Sequence, residues 1–336
     1  MKKAIGWLTL IMVMGLSGCS PKNNDNEPPP EESRPLAWHQ VADFGGPAQR
    51  GSMSFTIGNA AYVVSGMGDS SIPHRQVWKY DPATNAWARM GDYPGIPVIE
   101  GVGFAIGSAG YVCLGNTNDS AGWIAECWQY NATADHWTRK GDFPGAPRSG
   151  CVAVMIGSKA YVFGGFSTSQ VNERELWEYD AASDHWARKA DCPGEGRFLP
   201  AAFAIGDKAY FGTGRIAGSG FVGSQDFWEY DPLADAWMRR ADFPGSARGY
   251  ALGAAVGGRG YVCFGILALN ETFLTLAKDV WEYDPAGNAW TQRTDFAGAA
   301  RAMASGFVLG SDMYFGIGND ANMVNLRDFW RARPGQ

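Results

Sequence analysis

Residues 150–189 read GCVAVMIGSKAYVFGGFSTSQVNERELWEYDAASDHWARK. Four short runs stand out: Gly150–Ile156, Ala160–Gly164, Glu175–Tyr179 and His185–Lys189. Each is short and rich in β-branched or aromatic residues, and turn residues bound it, as expected of strands. Ile156 to Lys159 makes a tight first turn, and Asp180 to His185 makes the last. We call the four strands a to d. One such sheet cannot bury its apolar faces alone and needs neighbours of its own kind.

The neighbours are present. A Trp-x-Tyr-Asp strand, or a close variant, begins at Trp78, Trp128, Trp177, Trp228 and Trp281, and a sixth copy breaks at Trp330-Arg331. A second Trp follows the first five, at Trp87, Trp137, Trp186, Trp237 and Trp290. Strand b starts at Tyr62, Tyr111, Tyr161, Tyr210, Tyr261 and Tyr314. A period near fifty residues is the mark of a propeller. The pattern resembles the kelch repeat over residues 36–336. The expected fold is all-β: a six-bladed β-propeller with four antiparallel strands per blade. A ring of six sheets buries their faces and leaves only short edges.

The ends predict how the ring closes. The last unit stops after its third strand, Arg327 to Arg331. Leu36 to Phe44 copies a fourth strand and its exit loop, with Trp38 in the place of Trp186. The N-terminal strand is therefore expected to complete the sixth blade. The strand d tryptophans are expected to fill the gaps between the outer strands of adjacent blades.

Residues 1–18 read as a leader, with Lys2 and Lys3 ahead of an apolar run too short to span a bilayer comfortably. Leu16-Ser17-Gly18-Cys19 resembles the lipobox of bacterial lipoproteins. That resemblance implies cleavage after Gly18 and acylation of Cys19. Ser20 after the cysteine resembles an outer-membrane address. Residues 19–35, with three consecutive prolines and no aliphatic or aromatic side chain, read as a disordered tether. The localisation expected is the bacterial cell envelope, lipid-anchored and either periplasmic or surface-exposed.

The net charge of −6 argues against binding nucleic acid. Hydrophobic residues at 46% and charged residues at 18% exclude global disorder. Only His39, His74, His136 and His185 are available, and no pair of them converges on one loop face, so neither a copper-oxidase nor a zinc site is expected. No cofactor is expected, and a monomer is the expected state. After Cys19 five cysteines remain; Cys113 and Cys127 end strand b and begin strand c of one blade, close enough to bridge or to stay free.

Strand order puts the d–a and b–c loops on one face of the ring. The c–d turns on the other face are short and uniform, whereas the b–c loops are long and unlike one another, which is where binding usually sits. The d–a loops deliver Arg50, Arg148, Arg197, Arg248 and Arg301 to the start of strand a; blade 2 instead runs Val98-Ile99-Glu100. Such a ring of guanidiniums could clamp a carboxylate or other anion, or could tie the blades together through backbone carbonyls. Glu100 and Glu195 are the nearby acids and the candidate acid–base groups. Trp123, outside the repeat register in a b–c loop, is the candidate ligand-contacting aromatic. Two functions fit. One is an exported, membrane-anchored module binding a protein or an anionic glycan. The other follows from a resemblance to the periplasmic kelch mutarotases of sialic acid, which have six blades with Arg and Glu at the site.

Overall fold

The computed structural model describes residues 35–216, 222–269 and 274–335. The leader, Cys19 and the tether lie outside the described residues. Six four-stranded antiparallel sheets form the ring. Strands a to d are Met53–Ile57, Ala60–Val64, Val77–Asp81 and Ala86–Arg89 in blade 1. In blade 2 they are Val102–Ile106, Ala109–Asn116, Trp123–Asn131 and His136–Arg139. Blade 3 has Arg148–Ile156, Lys159–Ser167, Leu176–Asp180 and His185–Arg188. Blade 4 has Ala201–Ile205, Lys208–Gly212, Phe227–Asp231 and Ala236–Arg239. Blade 5 has Leu252–Val256, Arg259–Cys263, Val280–Asp284 and Ala289–Arg293. Blade 6 has Ser305–Leu309, Asp312–Gly316 and Phe329–Arg333, and its strand d is Ala37–Val41 from the other end of the chain.

The closing strand pairs over its whole length, Ala37 opposite Arg333 through Val41 opposite Phe329. Trp38 sits edge-on to Phe296, 4.8 Å between centroids. The expected six-bladed fold and its closure are both present. A hairpin not foreseen in the sequence, Ile266–Leu269 with Leu274–Leu276, extends the b–c loop of blade 5.

Local chemistry explains the repeat. The a–b turns carry a glycine at φ near +60°: Gly58, Gly107, Gly157, Gly206, Gly257 and Gly310. Two-residue hairpins need that conformation at their first central position. On strand c the Tyr hydroxyl donates to the last residue of the following turn: Tyr130 to Asp135 (2.6 Å), Tyr179 to Asp184 (2.7 Å), Tyr230 to Asp235 (2.6 Å). Those same carboxylates accept a backbone N–H from the preceding blade, at Gly91, Gly141 and Ala190. Four of the six strand d indoles donate across the same gap, Trp87 to the Ala42 carbonyl, Trp186 to Gly141, Trp237 to Ala190 and Trp290 to Ala241, while those of Trp38 and Trp137 are buried without a partner. The tryptophans therefore stitch neighbouring blades, as expected. Burying aromatics of this size contributes about 1.5–3 kcal/mol each.

Candidate functional site

At the inner end of each d–a crossover, where strand a begins, one residue contributes to a collar around the channel. Gly51, Glu100, Gly150, Leu199, Tyr250 and Met303 all have φ between 48° and 68°. Their backbones bond around the ring: Glu100 N–H to the Gly51 carbonyl (2.9 Å), Gly150 to Glu100 (2.7 Å), Leu199 to Gly150 (2.7 Å), Tyr250 to Leu199 (3.1 Å), and Gly51 to Met303 (2.9 Å). Four non-glycine residues are thus held in the left-handed region, a strain found disproportionately at working sites. Two of the four, Glu100 and Tyr250, are polar, and both line a channel chamber of about 190 Å³.

Burial pushes the Glu100 carboxyl up to about 7, against the pull of its hydrogen bond from Ser149 and of the Arg50 charge. Ser149 in turn accepts from the indole of Trp123 (3.2 Å). Burial also raises the Tyr250 hydroxyl well above its ordinary range, and the Glu100 charge adds to the effect. At neutral pH the chamber therefore holds a carboxyl near its midpoint and a protonated phenol. Trp123, Phe166, Phe198 and Tyr250 form a continuous aromatic wall, with successive centroids 5.7, 6.4 and 5.7 Å apart. Trp123, chosen for lying outside the repeat register, is part of this wall.

The five arginines separate into two groups. Arg148, Arg197, Arg248 and Arg301 are buried, at 0–1% exposure. Arg197 is bonded to both oxygens of Asp226 (3.0 and 2.7 Å) and to the carbonyls of Glu195 and Thr213. Arg148 pairs with Glu175 (2.7 Å), Arg248 with Asp279 (2.5 Å) and Arg301 with Asp328 (2.6 Å), again with added carbonyl bonds. The partner carboxylate heads strand c of the same blade and also accepts the strand c indole, as from Trp228 to Asp226 (2.6 Å). Burial alone would raise the Asp226 carboxyl, yet Arg197 outweighs it and holds the group at about 2. Of the two roles open to these arginines, the geometry gives the four that of a tie. The tie joins strands a, b and c of one blade, and not one blade to the next. Of the five guanidiniums expected to ring the channel mouth, Arg148, Arg197, Arg248 and Arg301 are instead turned to the carboxylates of their own blades.

Arg50 is different. It is half-buried, and its guanidinium donates to Asn325 (2.9 Å). The residue in the tie position of blade 1 is Gln49, fully buried, which bonds the Ser65 carbonyl (3.1 Å) and His74 (2.6 Å). Strand c of that blade is headed by Gln76 in place of an acid, and Gln76 still accepts the Trp78 indole (3.0 Å). Arg50 lies one residue further along, level with Ser149 and Phe198, beside Glu100. Glu195 is exposed on the rim of a separate cleft, and its part in the tie is its backbone carbonyl. Sequence reasoning missed Tyr250, Ser149, Phe166 and Phe198.

Blade 2 has lost its tie altogether. Val98 stands in the arginine position, and Glu126 keeps the Trp128 indole (3.0 Å) and an outer partner, Arg139 (3.5 Å). In this blade a disulfide, Cys113–Cys127, joins strands b and c next to Glu126. It anchors the extended b–c ribbon that carries Trp123. The Tyr93 hydroxyl, buried and without a hydrogen-bond partner, lies beside Gly95, where an arginine nitrogen lies beside Gly145, Gly194 and Gly245. Cys151, Cys192 and Cys263 are free and buried. Among the described residues no group of three His, Cys, Asp or Glu is placed to hold a metal ion.

Comparison with known proteins agrees with this architecture. The Kelch motif family matches residues 147–193, the third blade. The chain is 30% identical over 95 residues to an N-acetylneuraminate epimerase of Haemophilus influenzae (strain PittEE), covering 28% of this chain and 25% of the relative. It is 36% identical over 62 residues to an N-acetylneuraminate epimerase of Yersinia enterocolitica, covering 18% and 16%. The chain thus spans about a quarter or less of the curated relatives it matches. The solved structure of YjhT superposes with a TM-score of 0.74 at 16% identity, over 86% of this chain and 96% of that one. At that identity the likeness is one of fold. The chain is a six-bladed propeller whose third blade matches the Kelch motif.

Proposed function

We propose that the protein is a ring-opening isomerase, a mutarotase or epimerase of sialic acid or a related acidic sugar, acting at the channel mouth. The observation that carries the reading is Glu100: a strained, chamber-lining carboxyl poised near neutrality between Arg50, Ser149 and Tyr250. Anomer exchange needs one group to take the proton of the anomeric hydroxyl and another to protonate the ring oxygen as its bond to the anomeric carbon breaks. Reclosure on the other face reverses both transfers. A carboxyl with its midpoint near the working pH serves in both directions, and such catalysis contributes about 10²–10⁴-fold. Tyr250 supplies the complementary proton, and Arg50 faces the sugar carboxylate as a charge-assisted partner. The similarity to N-acetylneuraminate epimerases supports the substrate class. The test is NMR exchange between the anomers of N-acetylneuraminic acid. Catalysed exchange that is lost in Glu100→Gln and retained in Glu195→Ala is expected; no acceleration above buffer rejects the reading.

A second reading, a glycan- or protein-binding module without turnover, is favoured by the aromatic wall from Trp123 to Tyr250, and binding without exchange in the same tube selects it. We further propose that Cys19 carries the acyl anchor that holds the propeller at the cell envelope. Palmitate labelling that is lost in Cys19→Ala tests this.

A further inference from the structure

The chamber beside Glu100 holds about 190 Å³, but the cleft that opens between blades 3 and 4 holds about 1440 Å³. Tyr250 lines both. From Tyr250 and Phe198 at the collar, the cleft runs past Asn172 and Glu195 to Trp228 and Arg239. It therefore spans a blade from the head of strand a to the end of strand d, three strand spacings or roughly 14 Å. Sites for single drug-sized ligands hold about 300–1,000 Å³, so the cleft exceeds what one sugar requires.

Its charge is also informative. Arg174, Arg215 and Arg239 line it against the carboxylates of Glu195 and Asp226. Asp226 is already neutralised by the buried Arg197. The acids that pair with Arg174 and Arg239, namely Asp191 (3.7 Å) and Asp242 (2.8 Å), are not among the lining residues. Arg174 and Arg239 are exposed as well as paired, so with the rings of Phe166, Phe198, Trp228 and Tyr250 the wall offers guanidinium and aromatic surface that an anionic chain can engage in place of those solvent-screened pairs. We infer that the cleft is a subsite for an acidic oligosaccharide, whose reducing-end sugar lies over Glu100 and whose further units run outward toward Trp228. The inference rests on the isomerase reading of the mouth and adds to it that the substrate is a chain with a free reducing end.

The test compares N-acetylneuraminic acid with α2→8-linked trisialic acid, by calorimetry and by NMR of anomer exchange at the reducing end. The trimer is expected to bind at least tenfold more tightly than the monomer. Arg174→Ser with Arg239→Ser, both exposed positions, should remove most of that advantage and leave monomer exchange unchanged. Equal affinity for monomer and trimer, or an equal loss for both in the double variant, overturns the subsite and leaves the isomerase reading standing. No exchange with either sugar overturns both. An acidic hexapeptide that binds more tightly than the trimer and displaces it overturns the glycan assignment in favour of a protein partner.

Discussion

Replacing Cys113 and Cys127 by Val, the pair that blade 1 carries at Val64 and Val77, leaves blade 2 with neither an ion-pair tie nor a covalent one. The disulfide closes a loop of sequence separation 14. A loop of that length is worth about 3 kcal/mol through the unfolded chain. For a chain of this size, each kcal/mol moves Tm by about 2 °C, so the double variant should melt about 6 °C lower. The four arginine-bearing blades indicate a repair. Val98→Arg places a guanidinium within reach of Glu126 and the Leu114 carbonyl, as Arg148 reaches Glu175 and Gly164. Tyr93→Phe must accompany it, because the Tyr93 hydroxyl occupies space that the guanidinium needs. Phe143, Phe243 and Phe296 lie under the arginines at the matching positions, with guanidinium carbons 4.9–5.0 Å from the ring centroids.

A hydrogen bond to a charged group contributes about 1.5–3 kcal/mol net, and the desolvation of a buried pair takes back part of it. The repair should therefore return about 1.5 kcal/mol, roughly half of the loss. The same two substitutions in the disulfide-bonded protein should return less, since both devices pin the same end of the blade. Urea midpoints and hydrogen exchange of the strand c amides from Trp123 to Cys127 are the measurements. Equal effects of Val98→Arg in the two backgrounds would refute the idea that the disulfide replaces the tie. So would a wild-type protein whose exchange at those amides is unchanged by reductant.

Three further outcomes are expected. Glu100 has its carboxyl raised from 4.5 to about 7 in the folded protein, so its contribution to stability is present below pH 4.5 and lost as pH rises through about 7. Glu100→Gln should raise the urea midpoint at pH 8, by a shift equivalent to on the order of 3 kcal/mol at most, with no gain at pH 4. Arg197→Ala leaves Asp226 unpaired and should cost about 3 kcal/mol while leaving monosaccharide affinity unchanged. Because Asp226 is held at about 2, the wild type should lose this stabilisation as pH falls from about 4 toward 2, and the variant should show no such loss. Trp38 is half-buried against Phe296 and Phe315, so Trp38→Ala should lower stability by about 2–3 kcal/mol, less than the loss of a fully buried aromatic; an unchanged Tm would contradict closure by the N-terminal strand.

The blades were legible in the sequence because a two-residue alternation and two aromatic strands recur at a constant spacing. Ala37–Val41 was legible for the same reason, Trp38 repeating the pattern of Trp186. The collar was not: no residue type announces a left-handed backbone when Glu, Leu, Tyr and Met occupy it as well as Gly. Ser149 and Phe198 were hidden because each lies one residue beyond an arginine that drew attention to itself. The arginines themselves were separable in principle. Counting three residues on from the loop glycines Gly46, Gly95, Gly145, Gly194, Gly245 and Gly298 lands on Gln49, Val98, Arg148, Arg197, Arg248 and Arg301. The residues two before the strand c tryptophans are Gln76, Glu126, Glu175, Asp226, Asp279 and Asp328. Arginine appears with an acid in four copies and glutamine with glutamine in the first, as a buried pair must lose both charges together or leave one unpaired; in the second copy, where Val98 faces Glu126, the acid keeps Arg139 as its partner. An arginine that covaries with an acid across repeats of one chain serves the fold. Arg50 falls outside that count, and it is the guanidinium whose charge acts on Glu100.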